Sequence, residues 1–346
     1  MVSTSTRIAS LSRLGAFLRE ELSSEETYET TFAYDISMRA QTANGWFAER
    51  ESKKAISYWA NALNQEHLEN WISTYPPSEP QSVNVGLVLA GNIPMVGFHD
   101  VLATLLSGNR ALIKCASADN VLIPALLKKL VEFEDSMQET FTLVERLDGF
   151  EAVLATGSNN SSRYFESYFG HVPNVIRKNR TGVAILDGTE SEEELEGLMQ
   201  DCFQYFGLGC RNVTKLFLPK NYDLNNIFKA SMAFRHLMDN NKYVNNYTYH
   251  KALMMLERKA VLENDLILMI EEPSLFSPVS VLNYEFYEDK ADLSVKVEQN
   301  LEQIQCVIGH GHRDFGSGQS PELTDYADGI DTLEFLNKLT PEKLPN

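Results

Sequence analysis

The sequence lacks the features that identify several classes of protein. Its four cysteines, Cys115, Cys202, Cys210 and Cys306, fit no zinc-ligand spacing, and 346 residues are too many for a disulfide scaffold. Basic residues are scarce, because 30 Lys and Arg stand against 48 Asp and Glu. The resulting net charge of −18 disfavours nucleic acid and anionic membranes as partners. The sequence also contains no G-x-G-x-x-G and no Walker motif.

Long apolar runs are absent as well. The most apolar stretch, residues 83–108, is interrupted by Asn92, Pro94 and Asp100. A buried strand, a turn and a buried helix therefore explain it better than a membrane span. The amino-terminal segment is amphipathic without a long apolar centre, which indicates a first helix and not a signal peptide. We therefore expect a cytoplasmic protein.

Hydrophobic periodicity predicts an α/β protein. Residues 1–72 have apolar positions at helical spacing, and residues 75–80 form a linker rich in proline. Strands are then predicted at residues 83–90, 111–115, 151–155, 174–176 and 182–186, and helices at 98–106, 121–133 and 161–169. This alternation predicts a doubly wound parallel sheet, whose ligand lies at the carboxyl ends of its strands.

A second α/β region is predicted to follow. Apolar residues recur at helical spacing from residue 192 to residue 206, and Gly207 and Gly209 end that helix. Residues 224–260 are predicted to be mostly helical, with strands at 213–218, 266–270, 279–284 and 306–308.

Cys210 is the first candidate for chemistry. It follows a Gly-Leu-Gly turn, where small neighbours leave a thiol accessible, and Arg211 could favour the thiolate. The alternative is a small buried residue in a tight turn. Cys202 lies on the apolar face of the preceding helix, and a core position is predicted for it as for Cys115 and Cys306.

Three further candidates lie at the predicted carboxyl ends of strands. Asn92 offers an amide that can bind an oxyanion, and Lys114 could reach a ribose or a phosphate. The turn Thr156-Gly157-Ser158 opens a helix, where backbone N–H groups suit a phosphate. Taken singly, each pattern is also explained as an ordinary turn or a solvated strand end. The histidines show no ligand spacing, and no carboxylate pattern accompanies His310-Gly311-His312, so no metal site is predicted.

In their order along the chain, these segments resemble motifs of the aldehyde dehydrogenase superfamily, and most closely its acyl-CoA reductase branch, the LuxC-like fatty acid reductases. Asn92-Ile93-Pro94 resembles the Asn-Phe-Pro turn of the superfamily, and residues 107–114 resemble its Gly-Asn…Leu-Lys strand. The other matching segments are the Thr-Gly-Ser turn at 156–158, the nucleophile loop and next strand at 206–217, and residues 274–279, which resemble the Glu-x-Phe-Gly-Pro-Val segment of the family. The resemblance extends from about residue 83 to about residue 334.

The resemblance implies an aldehyde dehydrogenase-like fold. Residues 1–187 would form a helical amino-terminal segment and an NAD(P)-binding lobe, residues 188–309 the catalytic lobe, and residues 310–346 a tail that returns across the lobe interface. It implies Cys210 as nucleophile and Asn92 as oxyanion donor. It also implies that Lys114, Ser117 and the turn Thr156-Gly157-Ser158 contact the cofactor, and that the chain forms a homo-oligomer.

Three departures from the family pattern refine this expectation. Residues 177–182 contain no carboxylate where oxidative members carry a Glu that activates water, which favours transfer to a thiol over hydrolysis. Ser274 replaces the Glu that contacts the nicotinamide ribose. Ser117 lies near the Glu of many NAD-preferring members, and its lack of charge favours NADP, with Lys114 and Arg110 as candidate contacts for the 2′-phosphate.

The sequence therefore predicts NADPH-dependent reduction of an acyl thioester, of CoA or of an acyl-carrier protein, to an aldehyde through a thioacyl-Cys210 intermediate. The alternatives are a short-chain acylating aldehyde dehydrogenase, a cofactor-free cysteine acyltransferase or thioesterase, and a non-catalytic binding lobe. Residues 243–256, rich in Tyr and Met, could line an acyl tunnel, but helix packing is the explanation we favour.

Overall fold

The computed structural model describes residues 2–23, 25–76, 82–157 and 159–340. The chain forms two compact units, one from residues 1–178 together with 322–346 and the other from residues 179–321. Most of the predicted linker at residues 75–80 lies outside the described residues, as does Ser158.

Residues 1–72 were predicted to be helical, and four α-helices begin the first unit. They are α1 (Thr4–Glu21), α2 (Phe32–Ala43), α3 (Glu49–Ala62) and α4 (Gln65–Ser73). Side-chain oxygens of Ser3, Thr31 and Asn64 accept backbone N–H groups at the starts of α1, α2 and α4. Gly15 lets α1 approach the end of α3, because a Cβ there would lie 2.0 Å from the Leu63 carbonyl oxygen.

The first unit contains the predicted doubly wound sheet, and its five strands are all parallel. The strands are β1 (Asn84–Val88), β2 (Arg110–Lys114), β3 (Phe141–Leu143), β4 (Ala152–Thr156) and β5 (Asn174–Arg177), and the connecting helices are α5 (Phe98–Leu106), α6 (Leu122–Phe133) and α7 (Asn159–Phe169). Their order is β3-β2-β1-β4-β5. The direction of winding reverses between β1 and β4, and doubly wound sheets bind ligands outside the carboxyl ends of the strands at this point.

Strand β3 was not predicted. It contains only three residues, and Leu143 is exposed, so it has no alternating or continuous apolar pattern.

Buried polar contacts attach the carboxyl-terminal segment to this sheet. Arg177, the last residue of β5, pairs with Asp100 of α5, and the two side chains are only 5% and 8% exposed. Arg177 also donates to Thr332 Oγ1 at 2.7 Å, at the start of helix α12 (Thr332–Asn337). Asn109 Nδ2 donates to the Leu336 carbonyl oxygen of the same helix at 3.1 Å.

The second unit contains a six-stranded sheet in the order β11-β6-β7-β10-β9-β8. Its strands are β6 (Thr181–Ile185), β7 (Val213–Pro219), β8 (Val261–Glu263), β9 (Leu268–Glu271), β10 (Val281–Tyr287) and β11 (Ile304–Ile308), and its helices are α8 (Glu192–Phe203), α9 (Asn225–Ser231), α10 (Asn241–Leu256) and α11 (Lys290–Glu298). The pairing of β8 with β9 is antiparallel, and the other pairings are parallel.

The two units divide at residues 178 and 321, whereas the predicted lobes divide at 187 and 309. Strand β6, expected in the lobe of residues 1–187, pairs with β7 and β11 in the second sheet. Residues 310–321 also belong to the second unit, and only the chain from residue 322 onward returns to the first. An apolar run shows that a strand is buried but not which sheet it joins, because pairing between distant strands leaves no local pattern.

No helix among the described residues is both long enough and apolar enough to cross a membrane.

Removing the partner of Arg177 should strongly destabilise the first unit. We expect Asp100→Ala to lower the free energy of unfolding by about 3–5 kcal/mol, because it leaves a guanidinium buried without its counter-charge. Urea denaturation measures this change. As a control, Asp35→Ala breaks an ion pair with Arg39 whose side chains are 63% and 61% exposed, and should cost at most about 1 kcal/mol. Equal losses in the two variants would contradict the prediction.

Candidate functional site

The turn from β1 to α5 carries Asn92, whose side chain is exposed. The turn packs closely on the loop that follows β2, because a Cβ at Gly91 would lie 2.7 Å from the Ala116 Cβ. Met95 is fully buried and has a left-handed backbone, with φ of 59°. Its N–H donates to Asp119 Oδ2 at 2.8 Å, so a residue of the β2–α6 loop fixes the conformation of this turn.

Lys114 and Ser117 lie on the neighbouring strand and its loop. Lys114 is the last residue of β2 and is partly buried, and it pairs with Val88 of β1, whereas Ser117 is exposed in the loop. The carboxyl end of β2 therefore lies beside the Asn92 turn.

Arg110, expected to help Lys114 bind a 2′-phosphate, begins β2 and donates to Thr142 Oγ1 at 2.9 Å. Arg110 and Lys114 are four positions apart in β2, or roughly 13 Å at the usual strand rise of about 3.3 Å per residue. Arg110 thus lies at the opposite edge of the sheet, and this expectation was wrong. The error arose because the sequence predicts strand β2 but does not show that its first and last residues lie at different distances from the cofactor edge.

The Thr156-Gly157 turn connects β4 to α7. Arg177 Nη1 donates to Thr156 Oγ1 at 3.4 Å. A Cβ at Gly157 would lie 2.8 Å from Phe165 Cε2 and 2.9 Å from the Ser161 Cβ, so only glycine lets this turn pack on its own helix. The next residue, Ser158, lies outside the described residues.

The structure thus brings five of the predicted site residues to one edge of the first sheet. Asn92, Lys114, Ser117, Thr156 and Gly157 lie at or just after the carboxyl ends of β1, β2 and β4. These strands include the two at which the winding reverses. The edge is where a nucleotide would bind in a doubly wound sheet. Cys210 belongs to the second unit.

The turn before Cys210 has an unusual backbone. Tyr205, Phe206 and Gly207 are consecutive and have φ values of 55°, 58° and 74°. Glycine adopts this left-handed region readily, whereas the two aromatic residues do so at an energetic cost. Both aromatic side chains are buried, so core packing holds the strained backbone in place. The chain therefore leaves α8 sharply and presents Cys210, which is partly buried, in the following loop.

Asn212 organises this loop and was not anticipated. Its side chain is fully buried, and Nδ2 donates to the carbonyl oxygens of Asp201, Cys202 and Gln204 at 2.9, 3.3 and 3.0 Å. Its Oδ1 accepts the Gly209 N–H at 2.7 Å. One amide thus joins the end of α8 to the residue before Cys210. A polar residue two positions after the cysteine is the only sequence signal, and polar turn residues are common.

Burial raises the pKa of the other three thiols. Burial raises the pKa of Cys115 and of Cys306 to about 11, and raises the pKa of Cys202 well above its ordinary value. The thiolate is the nucleophilic form, so these cysteines are held in the unreactive form at neutral pH. Cys202 is a core residue of α8, as predicted. Cys306 Sγ donates to the Arg211 carbonyl oxygen at 3.6 Å.

Ser274 occupies the position where the family pattern has Glu. Its Oγ donates to the Phe276 carbonyl oxygen at 3.1 Å, and Asn283 Nδ2 donates to the carbonyl oxygens of both residues at 3.0 and 3.1 Å. These bonds fold the segment back on itself. Ser274 therefore has a role within its own loop.

His310 lies among carboxylates that the sequence did not associate with it. Its Nδ1 is 2.9 Å from Asp187 Oδ2 and its Nε2 is 3.0 Å from Glu194 Oε1, and Glu190 is close enough for the group to resemble a metal-ligand set. Hydrogen bonds to Asp187 and Glu194 raise the pKa of His310 to about 9. His310 therefore bridges two carboxylates, from the loop after β6 and from the first turn of α8.

Comparison with known families gives one match. Residues 13–160 match the family model of the acyl-CoA reductases (LuxC). The matched region contains all the predicted site residues of the first unit and ends before Cys210. The comparison with curated proteins found no match.

Solved structures match a larger part of the chain. An indole-3-acetaldehyde dehydrogenase in complex with NAD⁺ is 11% identical with a TM-score of 0.66, covering 89% of this chain and 72% of that one. A Pseudomonas syringae aldehyde dehydrogenase C variant with NAD⁺ and octanal is 10% identical, with a TM-score of 0.63 and coverage of 89% and 72%. Aldehyde dehydrogenase 21 of Physcomitrella patens, with succinate, is 14% identical, with a TM-score of 0.60 and coverage of 89% and 74%.

The family match of residues 13–160 supports oxidoreductase chemistry on an acyl group. The chain has the fold of the aldehyde dehydrogenases, and its residues 13–160 are similar to the acyl-CoA reductase (LuxC) family.

Proposed function

We propose that this protein reduces an acyl thioester to an aldehyde with NADPH, through an acyl group held on Cys210. The observation that carries the proposal is the Cys210 turn. A buried amide and three left-handed residues organise it, while burial keeps the other thiols protonated. The similarity of residues 13–160 to acyl-CoA reductases supports a thioester as the substrate.

In the proposed mechanism, the Cys210 thiolate attacks the thioester carbonyl and forms a tetrahedral adduct. The Asn92 amide and the Cys210 N–H donate hydrogen bonds to its oxyanion. The adduct collapses with release of the thiolate of CoA or of the carrier protein, which leaves an acyl group on Cys210. NADPH, when bound, supplies a hydride to this acyl carbon. Collapse of the resulting hemithioacetal releases the aldehyde and restores the Cys210 thiolate.

The carboxyl edge of the first sheet fits a dinucleotide. Lys114 provides a cation at the carboxyl end of β2, next to β1, and Gly157 lets the turn pack on the start of α7, where backbone N–H groups suit a phosphate. Ser117, exposed in the loop after β2, presents no charge to a 2′-phosphate. These residues support NADPH in preference to NADH.

Arg177 supports reduction over hydrolysis. It is the first residue of the stretch in which oxidative members carry the Glu that activates water, and its guanidinium is committed to Asp100 and Thr332. A buried cation cannot act as a general base. An acyl group on Cys210 would therefore persist until a hydride or a thiol reaches it.

The acyl-tunnel hypothesis for residues 243–256 gains no support. Tyr243, Tyr247 and Met254 are buried, and the Tyr243 hydroxyl donates to the Leu266 carbonyl oxygen at 3.1 Å. These contacts are those of a helix packed on its own sheet. Intact-mass measurement of the Cys210 adduct with acyl-CoA substrates of increasing length gives the preference for acyl chain length.

Substitution of Cys210 and of Asn92 should separate the nucleophile from the oxyanion donor. We expect Cys210→Ala to form no acyl adduct, because the attacking sulfur is gone. Asn92→Ala should form the adduct more slowly by roughly 10²–10³, because one oxyanion donor is lost. Intact-mass spectrometry after mixing with acyl-CoA, with and without NADPH, measures adduct formation and its removal.

Cys115→Ala is the matched control, because it deletes a thiol that burial keeps protonated, and it should still form the adduct. A normal reductase rate in Cys210→Ala would refute the proposal. Release of CoA without nicotinamide oxidation would instead identify a cysteine acyltransferase or thioesterase. Activity restricted to short acyl groups would identify the acylating aldehyde dehydrogenase.

A carboxylate at residue 117 should reverse the preference for NADPH. Like charges placed together cost several kcal/mol, so we expect Ser117→Glu to weaken NADPH binding by at least about tenfold. NADH binding should change far less, and Ser117→Gln controls for the added size. Fluorescence titration with each nucleotide measures both affinities. An unchanged NADPH affinity in Ser117→Glu would place the 2′-phosphate away from this loop.

A further inference from the structure

A buried carboxylate lies directly behind the Asn92 turn. Asp119, in the loop between β2 and α6, is 2% exposed. Its Oδ2 accepts the Met95 N–H at 2.8 Å, and the Leu122 N–H also interacts with the carboxylate. Its Oδ1 is buried and has no hydrogen-bond partner among the residues that the structure describes.

This placement is unfavourable for the carboxylate. Burial raises the pKa of Asp119 to about 6, although the two backbone N–H groups act in the opposite direction. None of the described basic side chains forms an ion pair with it. A buried charge with incomplete hydrogen bonding costs stability. An asparagine has nearly the same size and could accept the Met95 N–H without that cost, so fold stability does not account for an aspartate here.

Through the Met95 N–H, Asp119 binds the turn that carries Asn92. Met95, three residues after Asn92, has a left-handed backbone that a side chain of its kind rarely adopts. A hydrogen bond to an ionised acceptor is roughly twice as strong as one to a neutral acceptor. The ionised carboxylate therefore fixes the Met95 N–H, and with it the direction in which the turn presents the Asn92 amide.

Asp119 also connects the β2–α6 loop to the β1–α5 turn at the carboxyl edge of the sheet. Its loop begins directly after Lys114 and includes Ser117, and its backbone N–H donates to the Ala116 carbonyl oxygen at 3.1 Å. At the other side of the loop, Asn44 Nδ2 donates to the Ala118 carbonyl oxygen at 3.2 Å. Asp119 thus joins the β2–α6 loop, which several hydrogen bonds fix, to the Asn92 turn, in which Met95 has a strained backbone.

We infer that Asp119 is a positioning residue for the oxyanion-binding amide of Asn92, and that its charge serves this purpose at the expense of fold stability. This inference rests on the proposed function, since it gives Asn92 the role of oxyanion donor. Asp119 acts through Asn92 and does not itself touch the substrate.

Asp119→Asn tests the two halves of the inference together. We expect adduct formation on Cys210 to slow by at least about tenfold, because misplacement of a catalytic group by about 1 Å can cost up to about 10² in rate. The midpoint of thermal unfolding at pH 8 should rise or stay unchanged, because the variant removes a buried charge. A purely structural residue would lose stability and rate together.

The dependence on pH follows from the direction of the shift. A raised carboxyl pKa contributes stability that is present below the unfolded value of 3.8 and is lost as the pH rises through about 6. The stability of Asp119→Asn relative to the parent protein should therefore be highest at pH 8 and fall towards pH 4. Cys115 is the titratable group that interacts with Asp119. It does not titrate between pH 4 and pH 8, because its own pKa is raised to about 11.

A double variant shows whether Asp119 acts through Asn92. Combined with Asn92→Ala, the Asp119→Asn substitution should cause little further loss of rate, because there is no amide left to position. NADPH affinity should stay within about threefold of the parent protein in both single variants. Asp35→Asn, on the exposed face of α2, is the control for removing a carboxylate.

Three results would overturn the inference: rate losses that multiply in the double variant, a lower unfolding midpoint at pH 8 in Asp119→Asn, or an undiminished rate in that variant. Absence of any adduct in the parent protein is a different result, because it refutes the proposed thioester chemistry itself.

Discussion

Strand β1 pairs in parallel with β2 on one side and with β4 on the other, and the candidate cofactor site depends on this ladder. Because the three strands run in one direction, the loops that follow them emerge at a single edge. Residues separated by more than sixty positions in the chain, such as Asn92 and Gly157, are thereby gathered at that edge. The winding reverses at β4, which leaves the crevice into which a dinucleotide fits.

Buried polar side chains then fix the conformations of the loops next to the candidate site residues. Asp119 accepts an N–H from the turn of Asn92, and Asn212 joins the residue before Cys210 to the end of α8. Asp201, also fully buried, accepts the N–H groups of Gly316 and Gly318 at 2.7 and 2.8 Å. Burial raises the pKa of Asp201 to about 6, as it does for Asp119. In each unit, therefore, a buried carboxylate accepts backbone N–H groups of a loop, although burial disfavours its charge.

The sequence predicted the elements better than their partners. Helix α5 was predicted at its observed bounds, and all strands of the first sheet except β3 were predicted within a few residues, because their apolar patterns are strong. Strand β6 was assigned to the wrong sheet and Arg110 to the wrong edge of its sheet. Both placements depend on which distant strands pair, and neighbouring residues in the sequence do not reveal this. Asp119 and Asn212 were not recognised, because a polar residue in a loop looks the same in sequence whether it is buried or solvated.

The sequence by itself determined the α/β alternation, the turns that end its strands, and the order of motifs that resembles the acyl-CoA reductases. Those features depend on neighbouring residues, whose spacing sets periodicity and turn formation. Only the tertiary structure decided that Arg177 is committed to Asp100 and Thr332, and that His310 lies between two carboxylates. These outcomes depend on contacts between distant segments and on burial, which sets the strength of each charge interaction.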